Sequence, residues 1–571
     1  MSSKALSSAA QAQPLASSPA SLATILLVAM LVYALPGTLG HTPWKQDEAY
    51  SFGIIQHMLE SGQLLVPTNA GQPFMEKPPL YYWTATTFAA VLQRWLPLYD
   101  AARLASTFYV GVAGVFVALF AQISFRAPSV LSRRVLITVA LYASTVGMVK
   151  HAHDLFTDMS LCAGTAIALY GLQRLACQAG GTRHDALWLG LGVGIAALSK
   201  GVFIPSVFAA TAVLLPLAVR PCRNRRYYAR LVLAGLVALP LAVSWPVALY
   251  LHSPALFDVW FWQNNVGCYV GYSVPQLGSA ANHTRVIEAL LFFAFPTGML
   301  ALSYVLRGGW RKLGRAEIAL PLLFVTIGLT VLQTSATSRH LYLLPFTAPL
   351  AVLGARGLLR LPLRFLLGVN RVLPWLFGTL ALTVWAIYFA SLSQETMQTW
   401  LQPLSPWLPL DYTMPVKLMP LLFALALTVA WLQRDRWLSA NGRVAITQQW
   451  LFGIVLAWSL PFTLLLPWLD QAKGYGAVYA QMESAIRSDW QAGDCLSSME
   501  LGESEAPLLY YFTGILHQPV TTPKQARECR WLLLEAKGTP AAPPVGWMPI
   551  WRGGRDGDRD EFLQLFSRLP N

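Results

Sequence analysis

Hydrophobic residues in this chain come in long blocks separated by short polar breaks, and they alternate with polar residues only near the end. Blocks long enough to cross about 30 Å of hydrocarbon lie near 21–40, 102–125, 133–150, 159–177, 187–200, 203–219, 231–251, 287–306, 316–334, 341–358, 372–392, 416–433 and 447–468. Each predicts a membrane-spanning helix, about thirteen in all. The least certain division is at Ser199-Lys200-Gly201, where one polar break separates two short blocks.

The segments between and beyond the blocks have characters of their own. Residues 1–20 are rich in Ser, Ala and Gln with Lys4 their single charge, which predicts disorder. The block at 21–40 exceeds a signal-peptide core and lacks a small-x-small cleavage site before Trp44, so it reads as an uncleaved first helix, with a signal peptide as the alternative. Loop 41–101 is too long for a turn. Within it Tyr50–Leu59 carries apolar residues at helical spacing and Leu80–Leu92 is rich in aromatics. Both predict helices lying in the membrane interface, where Tyr and Trp prefer to sit. Past 469 the stretches Asp494–Leu501, Leu508–Thr513 and Arg530–Glu535 are short, apolar or alternating, and read as strands. The expected fold is therefore mainly α: a polytopic membrane domain over 21–468 and a small mixed α/β domain over 469–571, packed on the outer face.

Charge orients these blocks. Basic residues gather in alternate loops, at Arg126/Arg133/Arg134, Arg220–Arg230, Arg307–Arg315, Arg356–Arg371 and Arg434–Arg443. The positive-inside rule makes those loops cytoplasmic. The loops 41–101, 150–158, 252–286, 335–340 and 393–415, with the tail, then face the other side. An odd number of spans from a cytoplasmic amino terminus gives the same answer. A span over 78–96 would invert every later loop against this charge pattern, and is rejected. Composition agrees: 55% of residues are hydrophobic and 12% charged, about half the charge of a soluble domain. The net charge of +14 sits in these short loops, so it reports topology and not a nucleic-acid partner.

Several polar groups stand out against this background. Asp47 and Glu48 follow the first block at the outer boundary, where a carboxylate can orient a hydroxyl, accept a proton or simply charge a helix end. Glu76-Lys77-Pro78-Pro79 is more specific. Two prolines hold the backbone extended ahead of an aromatic helix and so aim Lys77, an ammonium suited to a phosphate held as a point charge. Asp154 and Asp158, a helical turn apart with His151 and His153 nearby, could share a divalent cation. Arg339 and His340 occupy a very short outer loop against the charge trend, which suits an anionic contact or a snorkelling helix end. Aromatics and amides from Trp260 to Tyr272 fit an interfacial belt or a sugar-stacking surface. Asn282-His283-Thr284 matches a glycosylation sequon, a short and common pattern. The six cysteines include no CxxC pair, which argues against a zinc knuckle. Cys495 and Cys529 could form a disulfide if the tail lies outside the cytoplasm; spacing alone leaves two free thiols equally open.

Taken in order, these motifs resemble the GT-C superfamily of integral-membrane glycosyltransferases. The closer similarity is to the branch containing protein O-mannosyltransferases and the aminoarabinose transferases that act on lipid A. The resemblance is carried by Asp47-Glu48, Gly62 to Pro67, Glu76 to Trp83, Ala102-Arg103-Leu104, Thr157 to Leu161, Gly194 to Gly201 and Arg339 to Pro345. It implies a sugar donor on a polyprenyl phosphate, attacked from the extracytoplasmic side of a bacterial inner membrane. It implies that Asp47 is the key acid, assisted by Glu48, with Asp158 a second acid near the site. Lys77 and Arg339 would hold the donor phosphate. Glu76, Tyr81, Tyr82, Arg103, His340 and Tyr342, from the same motifs, would contact substrate. The implied partners are the donor, a lipid or glycan acceptor and membrane lipids. No cofactor is assigned; a divalent cation at Asp154 and Asp158 stays an option read from their spacing. The chain departs from the aminoarabinose transferases after Asp47-Glu48, where Ala49-Tyr50-Ser51 replaces their usual x-Arg-Tyr, and again around Gln263 to Cys268. These departures leave the acceptor open between lipid A, another envelope glycan and protein.

The expected function is thus transfer of a sugar from a polyprenyl-phosphate donor, with inversion. A lipid-linked-sugar flippase would call for internal repeats and ionisable groups at mid-membrane, but no convincing repeat is present and the acids cluster outside. A non-catalytic scaffold would leave the first-loop motifs without purpose.

Overall fold

The computed structural model describes residues 19–178, 180–273, 285–439, 441–558 and 560–569. Most of the amino-terminal tail and the sequon at Asn282-His283-Thr284 lie outside the described residues. Each apolar block of the sequence contains helix. Among the described residues, six helices are long and apolar enough to cross a bilayer: Leu98–Phe125, Arg225–His252, Ala316–Thr334, His340–Leu358, Leu363–Ala390 and Gly442–Leu464. Val286–Phe293 and Thr297–Leu306 add a broken pair bent by 109°.

The remaining blocks are shorter or less apolar than the sequence pattern suggests. Helix α1 (Pro19–Ala34) spans 16 residues, about 24 Å at 1.5 Å per residue. The block at 133–150 is divided into α5 (Arg133–Ala143) and α6 (Val146–His151). The hydroxyls of Ser144 and Thr145 donate to the carbonyls of Ala140 and Leu141 at 2.6 and 2.7 Å, which interrupts the regular ladder. Helix α8 (Arg183–Lys200) starts earlier than its apolar run, because Thr182 and Asp185 form a capping box.

Two helices of the first loop follow the pattern closely. Helix α2 (Asp47–Ser61) begins at Asp47, so both acids occupy its first turn, where the positive end of the helix dipole stabilises them. A two-residue hairpin, β1 (Thr68–Asn69) with β2 (Gln72–Pro73), turns the chain back. Pro78 and Pro79 then hold off helix formation until α3 (Leu80–Leu92). Helix α4 (Leu98–Phe125) returns across the membrane domain. At the centre lies α7 (Asp158–Cys177), buried along nearly all of its length. Its close approach to α8 depends on small residues: a Cβ at Gly192 would sit 2.3 Å from the Ala168 backbone nitrogen.

Beyond Gly442–Leu464 two short helices, Leu466–Lys473 and Gly476–Ile486, lead into the C-terminal domain. Its sheet runs β4-β3-β5-β7-β6, with β3 (Leu496–Met499) parallel to both β4 (His517–Pro519) and β5 (Trp531–Lys537). Strand β7 (Glu561–Arg568) pairs antiparallel with β5 and with β6 (Trp547–Gly553). Two of the expected strands are thus present. The third is corrected: Leu508–Thr513 lies in a helix, Glu505–Thr513. A short apolar run is ambiguous between the two states, and here tertiary packing decides it, because Leu508 and Leu509 are fully buried. That helix lies against α2 so closely that a Cβ at Gly53 would meet Pro507 Cβ at 2.3 Å. Cys495 and Cys529 form a disulfide, which joins the start of β3 to the segment ahead of β5.

Candidate active site

Asp47 and Lys77 lie side by side in the wall of a cavity of about 410 Å³ at the junction of the first loop, the membrane helices and the C-terminal domain. Asp47 comes from the first turn of α2. Glu76 and Lys77 come from the extended segment that the prolines impose before α3. Lys200, the last residue of α8, also lines it. Arg339 precedes a 3-10 stretch, His340–Phe346, that contains Tyr342, and both residues line the cavity. Asn264 and Asn265 project from a π-helical turn, Val259–Gly267. Glu503 closes the ring from the C-terminal domain.

Lys77 is the centre of this arrangement, with a side chain only 11% exposed. It donates to the Tyr50 hydroxyl and to Asp47 Oδ1 at 3.4 Å, while Glu76 lies at 3.7 Å, beyond hydrogen-bond range. The Tyr50 hydroxyl in turn donates to Asp47 Oδ1. Asp47 and Tyr50 are one turn apart on α2 and share a face, so one helix presents both partners to the lysine. An ammonium carries three protons, and two are used here. Among the described residues no third acceptor lies within hydrogen-bond distance of it, which leaves one proton for a ligand in the cavity.

These contacts set the charges. Burial works against the Lys77 ammonium, but the Tyr50 oxygen and the Asp47 and Glu76 carboxylates outweigh it and hold its pKa well above the usual value. Burial likewise pushes Asp47 up, and Lys77, the Tyr50 hydroxyl, Lys200 and Arg339 together hold it below the ordinary carboxylate value. Lys77 is therefore a fixed cation and Asp47 a fixed anion at neutral pH. Lys77 also sits over the Tyr50 ring, 4.8 Å from its centroid, a further favourable contact for the charge.

The other expected site residues divide into those the cavity receives and those it does not. Arg339 and Tyr342 line it, and Lys200 Nζ lies 4.6 Å from the Tyr342 ring centroid. His340 is exposed beside them, 3.6 Å from Glu288. Asp158 is fully buried just behind the wall, both of its oxygens accepting from Lys200 at 2.6 and 2.7 Å. Asp154 faces His151 at 3.2 Å, so the pair considered for a divalent cation is divided between two other partners. Among the described residues, the one group of three acids within mutual ligand reach is Glu505, Glu535 and Glu561. Lys45 and Arg555 already pair with that group.

Glu48 and Arg103 do not reach the cavity. They bond each other on the far side of α2, where Glu48 also accepts from the Trp44 and Leu155 backbones at 2.9 and 3.2 Å. Arg103 donates to Asp100 at 2.6 Å. A guanidinium and a carboxylate buried this fully need each other to offset desolvation, and their partners fasten α2 to α4 and the Asp154–Leu155 turn. Tyr81 and Tyr82 are fully buried too. The Tyr81 hydroxyl shares a hydrogen bond with Ser106 at 2.6 Å and accepts from the Phe156 backbone at 3.0 Å. These four residues build the wall behind the site.

Two further site residues carry a local signal that the motifs alone did not single out. Tyr50 stands one helical turn after Asp47, and Lys200 ends a Ser-Lys-Gly stretch between two apolar runs. Glu503 had no local signal, since it reaches the cavity only through the fold.

A multi-pass membrane domain, a first loop carrying an acid and a buried lysine, and a small domain capping them define the class, and comparison with known proteins gives it a relationship. No family model matches the chain. It is 25% identical over 329 residues to the undecaprenyl phosphate-alpha-4-amino-4-deoxy-L-arabinose arabinosyl transferase of Serratia proteamaculans, a match covering 57% of each chain. The corresponding transferase of Pseudomonas savastanoi pv. phaseolicola is 26% identical over 346 residues, covering 59% of this chain and 61% of the relative. The chain thus matches less than two thirds of the length of these relatives. Its fold matches that of ArnT from Cupriavidus metallidurans bound to undecaprenyl phosphate, with a TM-score of 0.64 at 15% identity over 96% of this chain and 98% of that one. The likeness read from the motifs is thus matched over 57–59% of the chain in sequence, and the fold is shared over nearly all of it.

Proposed function

We propose that this chain is an inner-membrane glycosyltransferase that moves a sugar from a polyprenyl-phosphate donor to an extracytoplasmic acceptor, with inversion at the anomeric carbon. The observation that carries this reading is Lys77: a buried ammonium with a spare donor, oriented by Asp47 and Tyr50, facing a cavity that also receives Lys200 and Arg339. Such a set suits a lipid-linked phosphate diester in the ground state and the extra negative charge it gains as the sugar leaves. Asp47, held as an anion beside that phosphate site, fixes Lys77 and faces the positive charge that develops on the sugar ring. The curated relatives are named for transfer of aminoarabinose from undecaprenyl phosphate, and the donor class proposed here is the same.

The membrane core in this reading comprises residues 21–468 with thirteen spans, counting the shorter apolar helices, and a cytoplasmic amino terminus. Residues 469–571 form a periplasmic domain. The distribution of Arg between loops supports this orientation, as does a disulfide in the C-terminal domain, since such bonds persist in oxidising compartments.

Transfer of labelled sugar from an undecaprenyl-phosphate donor, measured in membranes carrying the Asp47→Asn or Lys77→Ala variant, tests the assignment. Both should lose most activity, and full activity in both would remove the site. The same assay run with and without EDTA reads whether a divalent cation takes part.

A further inference from the structure

Among the described residues, Glu503 is the one acid that the C-terminal domain contributes to the cavity, whose other lining residues belong to the membrane domain and its first loop. Its backbone is pinned on both sides. Its carbonyl accepts from Asn69 Nδ2 at 2.8 Å, the neighbouring Ser504 hydroxyl donates to the Gln46 carbonyl at 3.4 Å, and Glu505 is paired with Lys45 at 2.8 Å. The segment Glu503–Glu505 is thereby fastened to the segment Lys45–Asp47. The Glu503 carboxylate itself has no hydrogen-bond partner among the described residues, although it is half-buried in a polar site.

Asp47 is poorly suited to accept a proton. It is engaged by Lys77 and Tyr50 and held below the usual carboxylate range. Glu76 forms an ion pair with Lys77 at 3.7 Å. We propose that Glu503 is the general base, taking the proton of a hydroxyl acceptor as the acceptor oxygen attacks the donor sugar. This rests on the glycosyl-transfer reading above and extends it to the acceptor side. The new bond joins the acceptor oxygen to the anomeric carbon. The bond from that carbon to the phosphate oxygen breaks, its electron pair leaves on the polyprenyl phosphate beside Lys77, and the acceptor proton goes to Glu503.

The electrostatics agree with that role. Burial pushes the Glu503 carboxyl up to about 7, with Glu76 and Asp47 adding to the rise and Lys77 and Arg339 opposing it. A base is most effective when its pKa lies near the working pH, and such a group contributes about 10²- to 10⁴-fold. Its dependence on a hydroxyl proton also separates the acceptor classes, because an acceptor already ionised, such as a phosphate monoester, needs no base.

The test uses the full-length protein in membranes of a deletion strain, whose own envelope supplies the acceptor, with a labelled undecaprenyl-phosphate sugar as donor. Wild type, Glu503→Gln, Glu503→Asp and Lys77→Ala are compared between about pH 5.5 and 8.5, and binding of undecaprenyl phosphate to each purified protein is measured in parallel. The wild-type rate should rise with pH through about 7. Glu503→Gln should lose about 100-fold in kcat together with that limb, while binding undecaprenyl phosphate as wild type does, and Glu503→Asp should restore part of the rate with a limb still present. A Glu503→Gln variant with the wild-type rate, or with a higher KM and an intact limb, would overturn the assignment while loss of activity in Lys77→Ala kept the transfer reading standing. Absence of transfer by the wild type itself would overturn both.

Discussion

Lys45 of the first loop lies 2.8 Å from Glu505 of the C-terminal domain, and it also pairs with Glu561. The Tyr475 hydroxyl, which has one proton to donate, bridges the two carboxylates and lies 2.7 Å from Glu505. The lysine is two residues from Asp47. One of the contacts that attach the small domain to the membrane core, beside Asn69–Glu503 and Ser504–Gln46, therefore also lies at the start of α2.

Removing this lysine should cost both stability and activity. Lys45→Ala leaves buried Glu505 and Glu561 without their ammonium, and breaking a buried pair in this way costs about 3–5 kcal/mol. Thermal unfolding in detergent should show the loss, and sugar transfer should fall with it although Lys45 does not line the cavity. A variant with wild-type melting and rate would show that the two domains are held by other means.

Asp158 and Lys200 should behave as a unit. Either Asp158→Asn or Lys200→Met alone leaves a partner stranded at the head of α7 or the end of α8. The double variant removes both charges and should be less destabilised than the sum of the singles, with a coupling of about 1–3 kcal/mol. A double-mutant cycle on unfolding reads this directly, and strict additivity would contradict it. Activity should not recover in the double variant, since Lys200 lines the cavity.

A third expectation concerns pH. Burial, with Glu505 and then Glu561 adding and Gly502 and Lys45 opposing, pushes the Glu535 carboxyl up to about 7. A carboxyl with a folded pKa above its unfolded one stabilises the fold while protonated. That contribution is complete below the unfolded value near 4.5 and is lost as pH rises through about 7. The melting temperature of the wild type should therefore drop across this window more than that of Glu535→Gln, which remains uncharged throughout. Parallel curves for the two proteins would contradict the assignment.

Much of this architecture could be read from the chain because lipid imposes a length and a sign. Apolar runs gave helices at every position, and the prolines after Lys77 marked where α3 begins. Bends within those runs were hidden: Ser144 and Thr145 break one block through side-chain bonds that apolar counting ignores. The roles of Glu48 and Arg103 were obscured for a different reason. Motif order places them beside Asp47, but successive residues on a helix point in different directions, so Glu48 faces α4 while Asp47 faces the cavity. Leu508–Thr513 was misread as a strand because its partner, α2, lies at the other end of the sequence. Glu503 arrives at the site by the same long-range packing.

The central claim is that Lys77 holds the phosphate of a polyprenyl carrier, and binding of undecaprenyl phosphate to the purified protein tests it most directly. A charged hydrogen bond of this kind is worth about 1.5–3 kcal/mol, so Lys77→Ala should weaken binding by about 10- to 100-fold while leaving the melting temperature of the C-terminal domain in place. Undiminished binding of undecaprenyl phosphate to Lys77→Ala would contradict the account.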